Sequence, residues 1–300
     1  ITSLTTTNPL PACAQLLTQN ITLSVNPTPT LTGASQQSDV CAGSSAQINL
    51  SGLIPSTIIT ATYTINGGPV ETVTNISVSA GGTANFTTIG LTAANDGQVL
   101  QVTGITITSA LPNCSQSFTR NVTLDVHPIP ALSSSLSPGA ICSGSTFSYA
   151  PSSALPGSSF AWSRSVVAGI SQPANSGTGN INEILTNTTS APVSVNFLVT
   201  TTANGCNNSP GENVVLVVNP APSLSTVSQA ATVCAGTGGT INLTGLIPNS
   251  TSTVFYSING ISQPSVAGVV SNGSGNASFT SANLTVANNG QVLRVTGVSN

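Results

Sequence analysis

Cysteine is the residue whose type and spacing carry the clearest chemistry in this chain. Six cysteines recur at one early and one late position of each repeating stretch, and no C-x-x-C spacing occurs. Regular pairs are typical of disulfides in an oxidising, extracellular place, and the absence of close spacing argues against zinc or thioredoxin-like chemistry. We expect disulfides at Cys41, Cys114, Cys142 and Cys206, with Cys13 and Cys234 pairing across units or outside this stretch of chain.

Three pairing patterns are compatible with these positions. Bonds within each domain, Cys41–Cys114 and Cys142–Cys206, are the first expectation, and each would stabilise the fold by about 3–4 kcal/mol. A constant separation of 28 residues across each joint also allows bonds between neighbouring domains. The third pattern, Cys41–Cys206, follows if early and late cysteines lie at opposite poles of domains that stack end to end.

The remaining titratable residues predict no catalytic centre. The sole histidine, His127, lies in a proline-rich joint, where we expect a linker residue without clustered acids around it. The acids are scattered, so neither a paired-carboxylate site nor a calcium loop is predicted. We expect no cofactor and no enzymatic activity; the six acids are Asp39, Glu71, Asp96, Asp125, Glu183 and Glu212.

Internal repetition explains why the cysteines recur. Val40-Cys41-Ala42-Gly43 returns as Val233-Cys234-Ala235-Gly236, 193 residues later, and Asn95-Asp96-Gly97-Gln98-Val99-Leu100 returns at the same offset as Asn288-Asn289-Gly290-Gln291-Val292-Leu293. Self-similarity at a fixed offset indicates a tandem array of domains. Such arrays are typical of proteins that need length rather than one active site.

Proline-rich joints divide the array. The pattern V-x-P-x-P occurs at Val25–Pro29, Val126–Pro130 and Val218–Pro222, and alternating prolines favour a short, semi-rigid, extended connection. The spacing predicts four segments: the last strand or strands of a preceding repeat (residues 1–27), a first repeat (28–127), a different second repeat (128–219) and a copy of the first that lacks its last strand (220–300).

The pattern within the segments is that of short β-strands. Val122, Leu124 and Val126 alternate with polar residues, and β-rich runs end at Asn66-Gly67 and Asn259-Gly260, a strong signal for tight hairpin turns. About seven short strands per segment, with no sustained helical period, predict all-β immunoglobulin-like sandwiches in a linear array. Trp162, the only tryptophan, is expected to fill a core.

Composition excludes several partners. Only 3% of residues are charged and the net charge is −3, so the chain has no basic footprint for nucleic acid. No apolar run reaches the length of a membrane span, so no membrane insertion is expected in this stretch.

The motifs resemble the Ig-like and PKD-like repeats of giant surface proteins of Bacteroidota. The resemblance rests on V-C-A-G-[ST], on Ile141-Cys142-Ser143-Gly144-Ser145, on Asn204-Gly205-Cys206 and on the V-N-P-x-P joints. The stretches 162–170 and 177–185 are similar to the PKD-like type. The resemblance implies display at the cell surface, export by type IX secretion and, for proteins of the SprB type, filaments used in gliding.

Three hypotheses for function follow. The first is a structural segment of an extracellular filament or adhesin stalk, whose partners are neighbouring repeats or identical chains. The second is a module whose variable loops bind glycans, such as a surface polysaccharide. The third is a self-assembling subunit, in which residues 10–27 of one chain complete residues 220–300 of the next.

Overall fold

The computed structural model describes residues 3–6 and 13–300. It divides into two compact units, Ile1–Pro128 and Ile129–Asn300. The regular structure of the described residues consists of β-strands and two short 3-10 turns. The predicted all-β class is therefore confirmed.

The first unit contains an N-terminal hairpin and one sandwich, which we call the first sandwich. The hairpin pairs β1 (Ser3–Thr6) with β2 (Cys13–Leu16) in antiparallel register. The first sandwich consists of β3 (Gly33–Gln36), β4 (Val40–Cys41), β5 (Ser45–Ser51), β6 (Ile58–Ile65), β7 (Glu71–Ser77), β8 (Thr83–Gly90), the 3-10 turn Ala93–Asn95, β9 (Val99–Ile107), β10 (Cys114–Thr123) and β11 (Val126–His127).

The strands of the first sandwich form two sheets, in the orders β3-β5-β8 and β10-β9-β6-β7. Alternation along the sequence determines the buried face: Ala46, Ile48 and Leu50 of β5 are buried while Gln47 and Asn49 between them are partly exposed. The last strand, β11, pairs in parallel with β4. This pairing places the beginning and the end of the sandwich side by side.

The two predicted hairpin turns have the backbone that such turns require. Asn66 and Gly67 have φ of 50° and 70°, and Asn259 and Gly260 have φ of 48° and 82°. Two consecutive left-handed residues define the type I′ turn, whose twist matches that of the flanking strands. The Asn-Gly signal is confirmed in both places.

The second unit begins with a sandwich of a different plan, the second sandwich. Its main sheet has the order β12-β19-β17-β14-β15, with β18 paired to β17, and β13 pairs with β16 opposite it. Its strands are β12 (Ala140–Cys142), β13 (Thr146–Tyr149), β14 (Ser159–Arg164), β15 (Asn175–Thr178), β16 (Ile181–Ile184), β17 (Val193–Ala203), β18 (Cys206–Asn207) and β19 (Glu212–Asn219).

The remaining strands form the third sandwich, which repeats the plan of the first. One sheet has the order β20-β21-β25, and in the other β22 pairs with β23, β24 and β26. Its elements are β20 (Thr226–Gln229), β21 (Gly238–Thr244), β22 (Thr251–Ile258), β23 (Ile261–Ser262), β24 (Val266–Val270), β25 (Ala277–Asn283), the 3-10 turn Val286–Asn288 and β26 (Leu293–Ser299).

Each sandwich has its own hydrophobic core. Tyr63 packs on Phe86 in the first core, with ring centroids 5.2 Å apart, and Tyr256 packs on Phe279 at 5.2 Å in the third. These pairs occupy equivalent positions, 193 residues apart. The second core is built around Phe197 and Trp162. The exact boundaries 28–127, 128–219 and 220–300 stay a prediction.

Candidate functional site

The cysteines do not pair as first expected. Cys41 and Cys206 are disulfide-bonded, whereas Cys114, Cys142 and Cys234 are free thiols. The within-domain bonds Cys41–Cys114 and Cys142–Cys206 are therefore absent from the structure, as is a bond between Cys114 and Cys142 across the joint. The Cys13 side chain lies outside the described part of the molecule.

The strand register gives the physical reason for this correction. In the first sandwich Cys41 lies beside His127, while Cys114 lies beside Ile107 at the other end of β10. The ten residues of β10 span roughly 30 Å at about 3.3 Å per residue, whereas a disulfide requires Cα atoms about 4.4–6.8 Å apart. Early and late cysteines thus lie at opposite ends of the sandwich.

The second sandwich separates its cysteines in the same way. Cys142 lies opposite Asn219 at the end of β19, and Cys206 pairs with Ala203 in the short hairpin of β17 and β18. The start of β19, Glu212, pairs with Val199, next to that hairpin. The length of β19 therefore separates Cys142 from Cys206, and a disulfide between them cannot form.

His127 lies among acids, contrary to the expectation of an isolated linker residue. Its Nε2 atom is 3.1 Å from the Asp39 carboxylate and 3.7 Å from that of Asp125. Folding brings these groups together because β4 and β11 pair side by side. All three side chains are partly exposed, so the contact adds at most about 1 kcal/mol of stability.

The turn at residue 96 has a defined role. The Asp96 carboxylate accepts a hydrogen bond from the Val126 backbone N–H at 3.0 Å, which anchors the closing strand. The equivalent residue in the third sandwich is Asn289. Its amide oxygen is an equivalent acceptor, so the charge of Asp96 is not needed for this bond.

A buried ion pair in the second sandwich escaped the sequence analysis. Arg164 Nε donates to the Glu183 carboxylate at 2.8 Å, and the two side chains are 1% and 6% exposed. The Arg164 guanidinium also donates to the carbonyl of Pro173 at 2.7 Å, and Asn175 donates to Glu183. Since nearly every hydrogen-bonding position is used, this cluster fits a structural role rather than a reactive one.

Trp162 fills the core of the same sandwich, as predicted. It is 8% exposed and meets Phe197 edge-on with ring centroids 6.0 Å apart. The indole packs directly against Gly177 on the neighbouring strand. A Cβ atom at position 177 would come within 2.8 Å of the ring. The buried ring rules out a role for Trp162 as an exposed sugar platform.

The first sandwich carries an open groove with an uncharged polar lining. It has a volume of about 1040 Å³ and lies over β3, β5, β7 and β8. Asn49 and Asn85 face each other in register, and Asn75 adopts the left-handed backbone, with φ of 59°. The equivalent residues of the third sandwich, Asn242, Gly268 and Ser278, show that this lining differs between the two copies.

Two further features are absent from the described residues: a metal-binding cluster and a membrane-spanning helix. Within residues 3–6 and 13–300, no three His, Cys, Asp or Glu side chains are grouped to hold a metal ion. In the same part of the chain, no helix has the length and apolar character to cross a membrane.

The architecture defines the chain as a set of tandem β-sandwich domains of the Ig-like and PKD-like kind. Residues 139–222 match the family model of the PKD-like domain, which corresponds to the second sandwich. A comparison with curated protein sequences finds no match.

Three of the solved structures that match this chain do so at low sequence identity and low TM-score. A marsupial T cell receptor is 12% identical, with 88% of this chain and 99% of that chain covered and a TM-score of 0.33. The DIP-gamma IG1+IG2 structure is 16% identical, with coverages of 65% and 98% and a TM-score of 0.30. The chicken CNTN1 FN1-FN3 structure is 12% identical, with coverages of 86% and 89% and a TM-score of 0.28.

Domains of this kind, stabilised by a disulfide, fit a structural or adhesive module. They are typically extracellular and non-catalytic.

Proposed function

We propose that this chain is a structural segment of a long extracellular bacterial filament or adhesin stalk. The cysteine pattern carries the proposal. Cys41 and Cys206 are disulfide-bonded while Cys114, Cys142 and Cys234 are free thiols. We propose that Cys41 and Cys206 bond to each other, which would join two successive domains covalently.

Such a bond changes how the chain carries tension. Force that enters at Cys41 would pass through the sulfur atoms to Cys206, and the residues between them would remain folded without bearing it. The length of the stalk would then depend on a covalent bond rather than on the cores of two domains. The low charge of the surface, with 3% charged residues, makes such a stalk insensitive to salt.

The bond can be tested by peptide mass spectrometry without reduction, after digestion with a protease that does not require lysine. The expected product links the peptide of Cys41 to that of Cys206. Single-molecule stretching gives the mechanical consequence: a reductant should release the 164 residues between the two cysteines, adding roughly 55 nm of contour at about 3.4 Å per residue. Peptides linking Cys41 to Cys114, or no gain in length, would contradict the proposal.

The finer assignments rest on the family resemblance. We propose that the filament is displayed at the cell surface, exported by type IX secretion and used in gliding or attachment. Antibodies against the chain should then label intact cells along surface filaments. Labelling only after permeabilisation would argue against surface display.

A glycan-binding module is the second candidate. The groove over Asn49, Asn75 and Asn85 favours it, because amides and hydroxyls without charge suit a neutral sugar, and because this lining differs between the copies. The groove lies on the sheet rather than at the loops of one pole, where variable loops were expected. Direct binding of a neutral polysaccharide, lost on replacing Asn49 by Ala, separates this function from a purely structural one.

A further inference from the structure

Charged side chains gather beside Cys41 in a chain that has very few of them. The 300 residues include six acids and one histidine. Two of these acids meet the histidine at the strand pair β4–β11, where His127 Nε2 lies 3.1 Å from the Asp39 carboxylate and 3.7 Å from that of Asp125. Cys41, which is disulfide-bonded, belongs to the same strand pair. The only histidine and two of the six acids therefore lie beside one disulfide.

The register places these side chains on the face of the strands that carries Cys41. Cys41 lies directly opposite His127 in the parallel pair, and residues paired in this way point to the same side of a sheet. Asp39 and Asp125 each stand two residues earlier, and a period of two returns a side chain to the same face. Val126, one residue out of phase, is fully buried. The cysteine, the histidine and both carboxylates thus share the outer face.

The second sandwich has the same strand pair without the charges. There Cys142 lies opposite Asn219 in the parallel pair β12–β19. Ala140 and Val217 stand two residues earlier on these strands, where the first sandwich has its two acids. Pairing of an early cysteine with a closing strand therefore requires neither an acid nor a histidine. The charges beside Cys41 are not explained by the fold alone.

Charge near a disulfide affects its reduction, because the attacking group is a thiolate. A small thiolate forms a bond to the Cys41 sulfur, the bond from Cys41 to its partner cysteine breaks, and the electron pair stays on the partner sulfur, which takes a proton from water. A second thiolate then attacks the mixed disulfide and releases Cys41 as a thiolate, while the reductant is oxidised to its own disulfide. Each of these steps brings negative charge to the Cys41 sulfur or leaves it there.

We propose that the carboxylates of Asp39 and Asp125 slow the reduction of the Cys41 disulfide by anionic thiols. Their side chains are 54% and 62% exposed, so they face the solvent from which a thiol approaches. His127 lies between them and is only 26% exposed. The three side chains together remain negative even when the imidazole is protonated. They therefore repel an anionic thiol, and the repulsion weakens as salt screens it.

The inference rests on the proposed function, in which Cys41 forms one end of a covalent link between domains. Such a link carries tension only while it stays oxidised, so protection from reduction maintains the length of the stalk. The measurement, however, does not depend on which cysteine is the partner. Reduction of Cys41 can be followed whatever sulfur atom it is bonded to.

Three small thiols that differ in charge test the inference. The thiolate of cysteamine is neutral overall because of its ammonium group, that of 2-mercaptoethanol carries one negative charge, and that of mercaptoacetate carries two. After free thiols are blocked, each reductant is added to the chain at the same pH and thiolate concentration, in about 0.1 M salt, where charges interact over roughly 10 Å. Newly reduced Cys41 is alkylated and its peptide is quantified by mass spectrometry. The ratio of the cysteamine rate to the mercaptoacetate rate is the charge selectivity.

The double substitution Asp39→Asn with Asp125→Asn should lower the charge selectivity at least about threefold, because mercaptoacetate gains most from the loss of two negative charges. A change in the accessibility of Cys41 would instead speed all three thiols alike and leave the ratio unchanged. Raising the salt to about 1 M should lower the selectivity of the unsubstituted chain and have little effect on the double variant.

Glu71→Gln is the matched control, since it removes a carboxylate from the same sandwich. Glu71 lies on β7, three strands from β10 in its sheet, or roughly 14 Å at about 4.8 Å per strand. An exposed charge at that distance is largely screened at about 0.1 M salt. The charge selectivity of this variant should equal that of the unsubstituted chain.

Equal charge selectivity in the unsubstituted chain and the double variant would overturn the inference, and so would an equal loss in Glu71→Gln. Peptide mapping of the oxidised chain decides separately whether Cys41 is bonded to Cys206. A different partner would contradict the proposed link and leave the selectivity measurable, whereas absent selectivity would leave the link intact.

Discussion

The first and third sandwiches share a plan, a turn chemistry and an aromatic pair, yet their cores differ at one edge. Leu100 is fully buried in the first, while its equivalent Leu293 is only partly buried. The difference follows from β10 and β11, which cover this edge in the first sandwich. The closing strand of this fold is thus part of the core, since two sheets alone leave the apolar interior open along one side.

The largest effect on the free energy of unfolding is expected in the second sandwich, whose core differs from the cores of the first and third sandwiches. Glu183→Gln should leave the buried Arg164 without its carboxylate and destabilise this sandwich by about 3–5 kcal/mol. Fluorescence of Trp162, the only tryptophan, follows unfolding of this sandwich in denaturant.

Asp39→Asn is the matched control for that change. Its carboxylate is 54% exposed beside His127, so loss of the charge should alter stability by less than about 1 kcal/mol. An equal effect of the two substitutions would show that burial does not determine the strength of these ion pairs.

An intermediate effect separates two segments of similar sequence, residues 121–126 and residues 20–25. Leu124→Ala should cost about 2–5 kcal/mol, because Leu124 is 1% exposed and its removal leaves a cavity. Leu23→Ala, at the matching position in residues 20–25, should change the free energy of unfolding by no more than about 0.5 kcal/mol, because Leu23 is 80% exposed. Hydrogen exchange along residues 99–107 measures the first effect, and similar losses in both variants would contradict the comparison.

The smallest effect concerns pH. The pKa of Tyr63 is raised above 10.0, chiefly by burial of its hydroxyl and to a smaller extent by the negative charge of Glu71. The hydrogen bond that the hydroxyl accepts from Ile89 N–H acts in the opposite direction and lowers the pKa. The folded state then holds this proton after the unfolded state has lost it. The stability that Tyr63 contributes is therefore full below a pH of about 10 and falls as the pH rises above it.

Tyrosinate absorbance during an alkaline titration measures this shift. The native chain should show a late-titrating tyrosine that Tyr63→Phe removes. If Tyr63→Phe removed an early-titrating signal instead, the raised pKa would be wrong.

Local features of the fold could be predicted from the sequence, because they depend on neighbouring residues. The strand around Val122, the turns at Asn66 and Asn259 and the buried Trp162 follow from alternation, from positive φ and from the size of one side chain. Each of these signals is contained within a few residues.

Contacts between distant residues could not be predicted. Arg164 and Glu183 lie 19 residues apart, and His127 lies 88 residues from Asp39; only the order of strands brings them together. The expected cysteine pairing is wrong for the same reason: Cys41 on β4 lies beside His127 of β11, whereas Cys114 begins β10 beside Ile107, at the opposite end of the first sandwich. Sequence spacing counts residues along the chain, whereas a disulfide depends on distance in space.

The parallel pairs β4–β11 and β12–β19 have a mechanical consequence. In each pair, the strand near the start of a sandwich lies beside the strand at its end and runs in the same direction. Once the proposed Cys41–Cys206 bond is reduced, tension at the two ends therefore pulls the strands past each other along their length, and their hydrogen bonds are loaded together in shear. An antiparallel pair pulled from adjacent ends would instead open one bond at a time, at a much lower force.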